Sequence, residues 1–92
     1  MIVFIGGPME GIENNNKDAF MEAQKAQMGC GNIVLNMAML PEGLDKEKMI
    51  QICMEMVNVS DGVYFLEGWK ESDVAIRLMG HAFQTKKQIR YA

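Results

Sequence analysis

Three short apolar runs, each closed by a glycine- or asparagine-containing loop and each followed by a helical stretch, constrain this chain most. The first, Ile2-Val3-Phe4-Ile5, ends at Gly6-Gly7-Pro8 and reads as a strand buried on both faces. Asn32-Ile33-Val34-Leu35-Asn36 is a second such strand, and Gly62-Val63-Tyr64-Phe65-Leu66 a third, ending at Glu67-Gly68-Trp69. The intervening stretches have helical spacing. Residues 16–28 place Ala19, Phe20, Ala23 and Ala26 on one face, with Asn15 or Asn16 as N-cap and Gly29 suited to a left-handed C-terminal position. A second helix opens near Asp45, and a third runs from about Ser72 to Gln84 with Ser72 as its cap. Gln88-Ile89-Arg90-Tyr91 offers a last strand. Strand and helix in strict alternation predict a parallel sheet covered on both faces. The expected fold is a three-layer α/β/α sandwich of the Rossmann-like, flavodoxin-like kind, with about four strands and one domain over residues 1–92.

In such sheets ligands bind outside the carboxyl ends of the strands. The segments expected there are 6–16, 36–40 and 67–73. Gly6-Gly7-Pro8-Met9-Glu10-Gly11 follows a strand and precedes a helix, as phosphate loops do, but has neither Walker A nor dinucleotide-binding spacing. A turn that needs glycine torsions explains it equally well. Glu10, Glu13, Glu67, Glu71 and Asp73 are the carboxylates near this edge. Asp73 belongs in the first turn of its helix, where a negative charge complements the macrodipole. His81 is the only histidine, so no Ser-His-Asp or Cys-His arrangement assembles. With it, Cys30 and Cys53 cannot make a structural zinc site, and no metal or cofactor is expected. The two cysteines read as small hydrophobes in a reducing compartment.

Twelve acidic against nine basic side chains leave a net charge of −3. That disfavours duplex nucleic acid and anionic membranes, both of which reward clustered Lys and Arg. No apolar stretch has the length of a signal or transmembrane segment, so a cytoplasmic protein is expected. At 92 residues such a chain buries only about 60% of its unfolded surface. The helix over 45–59 carries an apolar arc of roughly 220°, wider than one sheet requires. Its surplus, including Ile50, Met54 and Val57, predicts a homodimer or higher homo-oligomer; a neighbouring helix of the same chain is the alternative cover. Ten methionines fit an adaptable core or interface.

Three motifs in order resemble the nucleoside 2-deoxyribosyltransferase-like family, especially its short phage and bacterial members. They are Ile5-Gly6-Gly7-Pro8-Met9 with Gly11, Asn36 to Leu44, and Ser60 to Trp69 with Ser72. The resemblance implies the α/β sandwich and a cleft shaped for a nucleoside or nucleotide. Its ligand-binding residues would be Gly6, Gly7, Pro8, Met9, Asn36, Gly68, Trp69 and Ser72. The glycines would allow close backbone approach, while Asn36 and Ser72 would supply orienting hydrogen bonds. The same resemblance implies sugar transfer through a glutamate nucleophile, at the position that Leu78 holds here. Val74 stands at a family glycine, Glu10 at a small hydroxyl residue and Met37 at a proline. Leucine has no lone pair with which to attack an anomeric carbon. The expectation is therefore nucleoside or nucleotide binding without the family's catalysis. Restoring Leu78→Glu with Val74→Gly is expected to return at most trace activity. Two other expectations stand beside it: a transferase or N-glycosidase using a relocated carboxylate such as Glu71, and a protein–protein interaction module.

Overall fold

A computed structural model describes residues 1–92. The chain runs β1 (Ile2–Gly6), α1 (Lys17–Gly29), β2 (Ile33–Asn36), α2 (Lys46–Asn58), β3 (Gly62–Phe65), α3 (Asp73–Gln84) and β4 (Gln88–Tyr91). One-turn 3₁₀ segments at Met37–Met39 and Trp69–Glu71 join strands to helices. All four strands are parallel, in the order β2-β1-β3-β4. Right-handed crossovers then place α1 on one face and α2 with α3 on the other, completing the three-layer sandwich. No helix is long and apolar enough to cross a membrane.

The register sorts side chains between the two faces. Ile5 pairs with Asn36 and Tyr64, and Tyr64 with Arg90, so these four share the α1 side. Phe4, Leu35, Val63 and Phe65 share the side of α2 and α3. A single helix covers the first face, which leaves Tyr64 half-buried and Arg90 exposed over β3 and β4. The core lies mainly on the second face, where Phe4, Val63 and Phe65 meet Ile50, Cys53, Val57, Val74, Leu78 and Ala82.

Helix ends follow local chemistry. Asp45 caps α2 by accepting from the Lys48 N–H at 2.9 Å, and Ser72 Oγ accepts from the Ala75 N–H at 3.2 Å. The α1 termini differ from expectation. Asn14, Asn15 and Asn16 all adopt left-handed torsions (φ 52, 53 and 61°), which asparagine tolerates better than most residues. The Asn16 side chain makes no cap bond; its Nδ2 donates to the Pro8 carbonyl at 2.9 Å. At the other end Gly29 stays helical and Gly31 takes the left-handed position (φ 84°). The Gly31 N–H donates to Met28 O and the Asn32 N–H to Gln27 O, which closes a Schellman motif.

The surplus apolar arc of α2 is also partly redirected. Ile50 and Val57 are buried with Cys53 inside the single core, and Met54 packs against that core. The helix alongside α2 is α3. Two ion pairs tie them, Lys46 to Asp73 and a forked Arg77 to Glu47 at 2.8 and 3.4 Å. Ile50, Val57 and in part Met54 are thus covered within the chain, whereas Ile52 and Val59 of the same arc stay exposed.

Candidate functional site

At the carboxyl edge of the sheet a cavity of about 700 Å³ opens between α1 and the end of β3. Ile12 and Asn16 come from the first loop, Ala19 and Ala23 from α1, and Tyr64, Leu66, Glu67, Gly68 and Glu71 from β3 and the segment after it. Alanines on α1 keep the wall low, and Tyr64 rises from the sheet because nothing covers β3 there. Glu22, Glu67 and Glu71 line the opening, and no Lys or Arg does. Such a site accepts hydrogen bonds from hydroxyl and amino groups and repels phosphate.

The residues expected to bind a ligand are brought to this edge but do different work. A Cβ on Gly7 would stand 2.8 Å from Leu66 Cβ, and one on Gly6 3.0 Å from the Phe4 and Phe65 rings. Their missing side chains make room for the core, not for a ligand. Pro8 is buried beneath Gly68, whose φ of 89° needs glycine and whose Cβ would sit 3.3 Å from Pro8 Cγ. The first and third loops are thereby locked together.

Asn36 is 3% exposed, and both ends of its amide are engaged. Its Oδ1 accepts from the Ala38 N–H at 2.8 Å, and its Nδ2 donates to Gln24 Oε1 at 3.0 Å. Met9 faces a separate cavity of about 330 Å³, shared with Met37, Leu40 and the Lys17–Glu42 pair (3.3 Å). Trp69 stacks on Tyr91, centroids 5.5 Å apart, and leans on Phe65 at 5.8 Å. Its indole is the middle of an aromatic row rather than a free stacking wall. Ser72 spends its Oγ lone pair on the helix cap and keeps its hydroxyl proton to donate. Among the eight, Gly68 alone lines the larger cavity.

Glu71 lies in that cavity beside Glu67 and is exposed. Leu78 is 0% exposed and Val74 4%, both within the core beneath α3. The positions that the resemblance assigns to sugar chemistry thus face inward here. His81 Nε2 lies 2.7 Å from Asn58 Oδ1, which requires that nitrogen to carry the proton and ties α3 to the end of α2. At the start of α3, the hydrogen bond from Lys46 holds the Asp73 carboxyl below the usual aspartate range and raises Lys46. Glu47 likewise raises Arg77 by accepting its hydrogen bond. No group of three or more His, Cys, Asp or Glu side chains is placed to hold a metal ion.

Asn16 and Tyr64 are cavity residues that sequence reasoning assigned elsewhere, to a cap and to a buried strand. The signal for Asn16 was the run of three asparagines, a residue type that accepts left-handed backbone and can turn the chain sharply. Tyr64 gave none, because its exposure depends on a missing helix over β3 and β4.

Fold and site together define a small parallel α/β protein with a ligand-sized cavity at the carboxyl ends of its strands. The chain belongs to the family described as a domain of unknown function (DUF4406), whose model matches residues 1–91. No curated protein matches the chain.

Proposed function

We propose that this is a cytoplasmic nucleoside-binding protein that has no deoxyribosyl transfer activity. The observation that carries the reading is Leu78: at the position where the resembled family keeps its nucleophile, the side chain is apolar and buried. The binding half of the reading rests on the cavity of about 700 Å³, which has the size of a small-molecule site. Tyr64 offers a ring to a base, and Glu67 and Glu71 accept from sugar hydroxyls or an exocyclic amine. With three carboxylates and no cation around the opening, the unphosphorylated nucleoside is favoured over the nucleotide.

A second reading is favoured by Glu71, an exposed carboxylate in the same cavity. If Glu71 serves as nucleophile, the protein is a transferase or N-glycosidase. Titration with deoxynucleosides and their 5′-monophosphates, followed by Trp69 fluorescence, tests binding, because Trp69 adjoins Gly68 and Glu71. Saturable quenching by the nucleoside and a weaker response to the monophosphate is the expected result. Chromatography of free base over hours tests catalysis. Base release lost in Glu71→Gln would establish the second reading.

A further inference from the structure

The flank of α2 turned away from α3 carries an apolar ridge at i, i+3, i+7 and i+10: Met49, Ile52, Met56 and the C-cap residue Val59. Ile52 is 39% exposed and Val59 60%. Ile50, Cys53 and Val57 point into the core and Met49 and Met56 lie half-buried against it, so Ile52 and Val59 are the exposed members of the ridge. Edge strand β2 extends the patch. Ile33 pairs with Ile2 and so projects on the α2 side of the sheet, where it is 65% exposed. A crossover helix runs opposite to its strands, so Val59 and Ile33 both lie at the amino end of the sheet.

We propose that this ridge docks a second copy of the chain, with the two α2 helices antiparallel about a two-fold axis that passes between Gln51 and Ile52. The occupant is specified by charge. On a helical wheel Lys48 and Glu55 project within roughly 20° of each other, along one border of the ridge. They stand equally far, three and a half residues, on either side of the proposed axis. An isologous contact brings residue i of one copy to residue j of the other and j to i. Lys48 of each copy therefore meets Glu55 of its partner, twice, while the two Ile52 side chains flank the axis at the centre. Neither charge has a strong partner inside the chain. Lys48 Nζ comes only to 3.9 Å from Asp45, and Glu55 accepts one bond from Asn58 at 3.3 Å. A parallel pairing would align Lys48 with Lys48 and Glu55 with Glu55.

Sedimentation velocity and equilibrium test this on the full chain, with far-UV circular dichroism confirming that each variant is folded. The wild type is expected to dimerise with a Kd of about 10 µM or tighter. Lys48→Glu and Glu55→Lys should each weaken dimerisation about tenfold, since each reverses two symmetry-related rim pairs. Mixed in equal amounts, the two variants should associate within about threefold of the wild type, because each supplies the charge the other lacks. Ile52→Asp should weaken the dimer by at least about tenfold through the apolar centre. All three positions are exposed, so the fold should survive. A wild type that stays monomeric at about 1 mM would overturn the proposal. So would a dimer indifferent to Ile52→Asp, or single reversals that weaken it without recovery on mixing.

Discussion

Gly7 and Leu66 occupy one space: a Cβ built on Gly7 would lie 2.8 Å from Leu66 Cβ. This contact holds the loop after β1 against the end of β3, and it explains glycine at a position where a ligand contact would otherwise be invoked. The neighbouring Leu66 N–H donates to Gly6 O at 2.9 Å, so the backbones cannot separate to relieve the clash. Gly7→Ala should destabilise the protein by about 1–3 kcal/mol through overpacking. Leu66→Ala should cost about 2–5 kcal/mol through the void it leaves. In urea denaturation the double variant should cost clearly less than the two added together, because the new methyl fills part of the void. Strict additivity would show that the two side-chain positions do not share space.

Asn36 separates a structural joint from a ligand contact. Removing its amide by Asn36→Ala strands the Ala38 N–H and the Gln24 carboxamide and should cost about 1–3 kcal/mol of stability. The nucleoside response of Trp69 should be unchanged wherever the variant is folded. A large loss of affinity at full stability would return Asn36 to the ligand.

The alternation of strands and helices was legible because periodicity reports directly on burial, and so were the opening of α2 near Asp45 and the cap Ser72, whose chemistry is local. What escaped depends on three-dimensional neighbours. Gly6 and Gly7 carry the signature of a ligand loop, yet Leu66 and the Phe4 and Phe65 rings decide what fills the space. The wide arc of α2 was visible, but only the position of α3 shows which part of it is spare. Tyr64 looks like any strand residue until the open half of the sheet is seen.

The Lys46–Asp73 pair makes a pH prediction whose sign is fixed by the direction of the Asp73 shift. Asp73 is held below the usual aspartate range when folded, chiefly by the hydrogen bond from Lys46. It binds its proton less readily folded than unfolded, so its contribution is present above an ordinary aspartate pKa and fades as pH falls through the depressed value. Both partners are exposed and screened by solvent, so the effect on stability should be small. A carboxyl-detected NMR titration should place Asp73 below the unperturbed range, and Lys46→Met should return it there. An Asp73 titration unmoved by Lys46→Met would remove the pair from solution.

The two cysteines should differ sharply in reactivity. Cys30 is exposed, whereas Cys53 is buried and its thiol is pushed up from 9.0 to about 11 by desolvation. In a thiol-reagent assay at neutral pH one equivalent should react at once, and the second only as fast as the protein opens. A raised folded pKa means that stability is intact below the unfolded value and declines as pH rises through 9 toward 11. The slope should approach about 1.4 kcal/mol per pH unit between those values. Cys53→Ala should flatten it. Two equally fast thiols in the folded protein would contradict the burial of Cys53.

Leu78 gives the sharpest outcome, because the resemblance and the core make opposite demands on it. If the site needed only its nucleophile, Leu78→Glu with Val74→Gly would begin to restore sugar transfer. Both side chains instead lie in the core with Phe4, Val63 and Ala82, where an ionised carboxylate has no partner and no water. Leu78→Glu should cost several kcal/mol at neutral pH, on the order of the whole stability of a domain this small. The variant should be unfolded or nearly so by circular dichroism, and without transfer activity. Where the chain still folds, the introduced carboxyl would be neutral and its pKa raised. The stability deficit against wild type should therefore be smallest near or below an ordinary glutamate pKa of about 4 and grow as pH rises through that value. Leu78→Met, which keeps the volume without a charge, should stay folded at a cost under about 1.5 kcal/mol. A Leu78→Glu protein as stable as wild type at neutral pH, or one releasing base from a deoxynucleoside, would show that α3 can turn this position out toward the cavity.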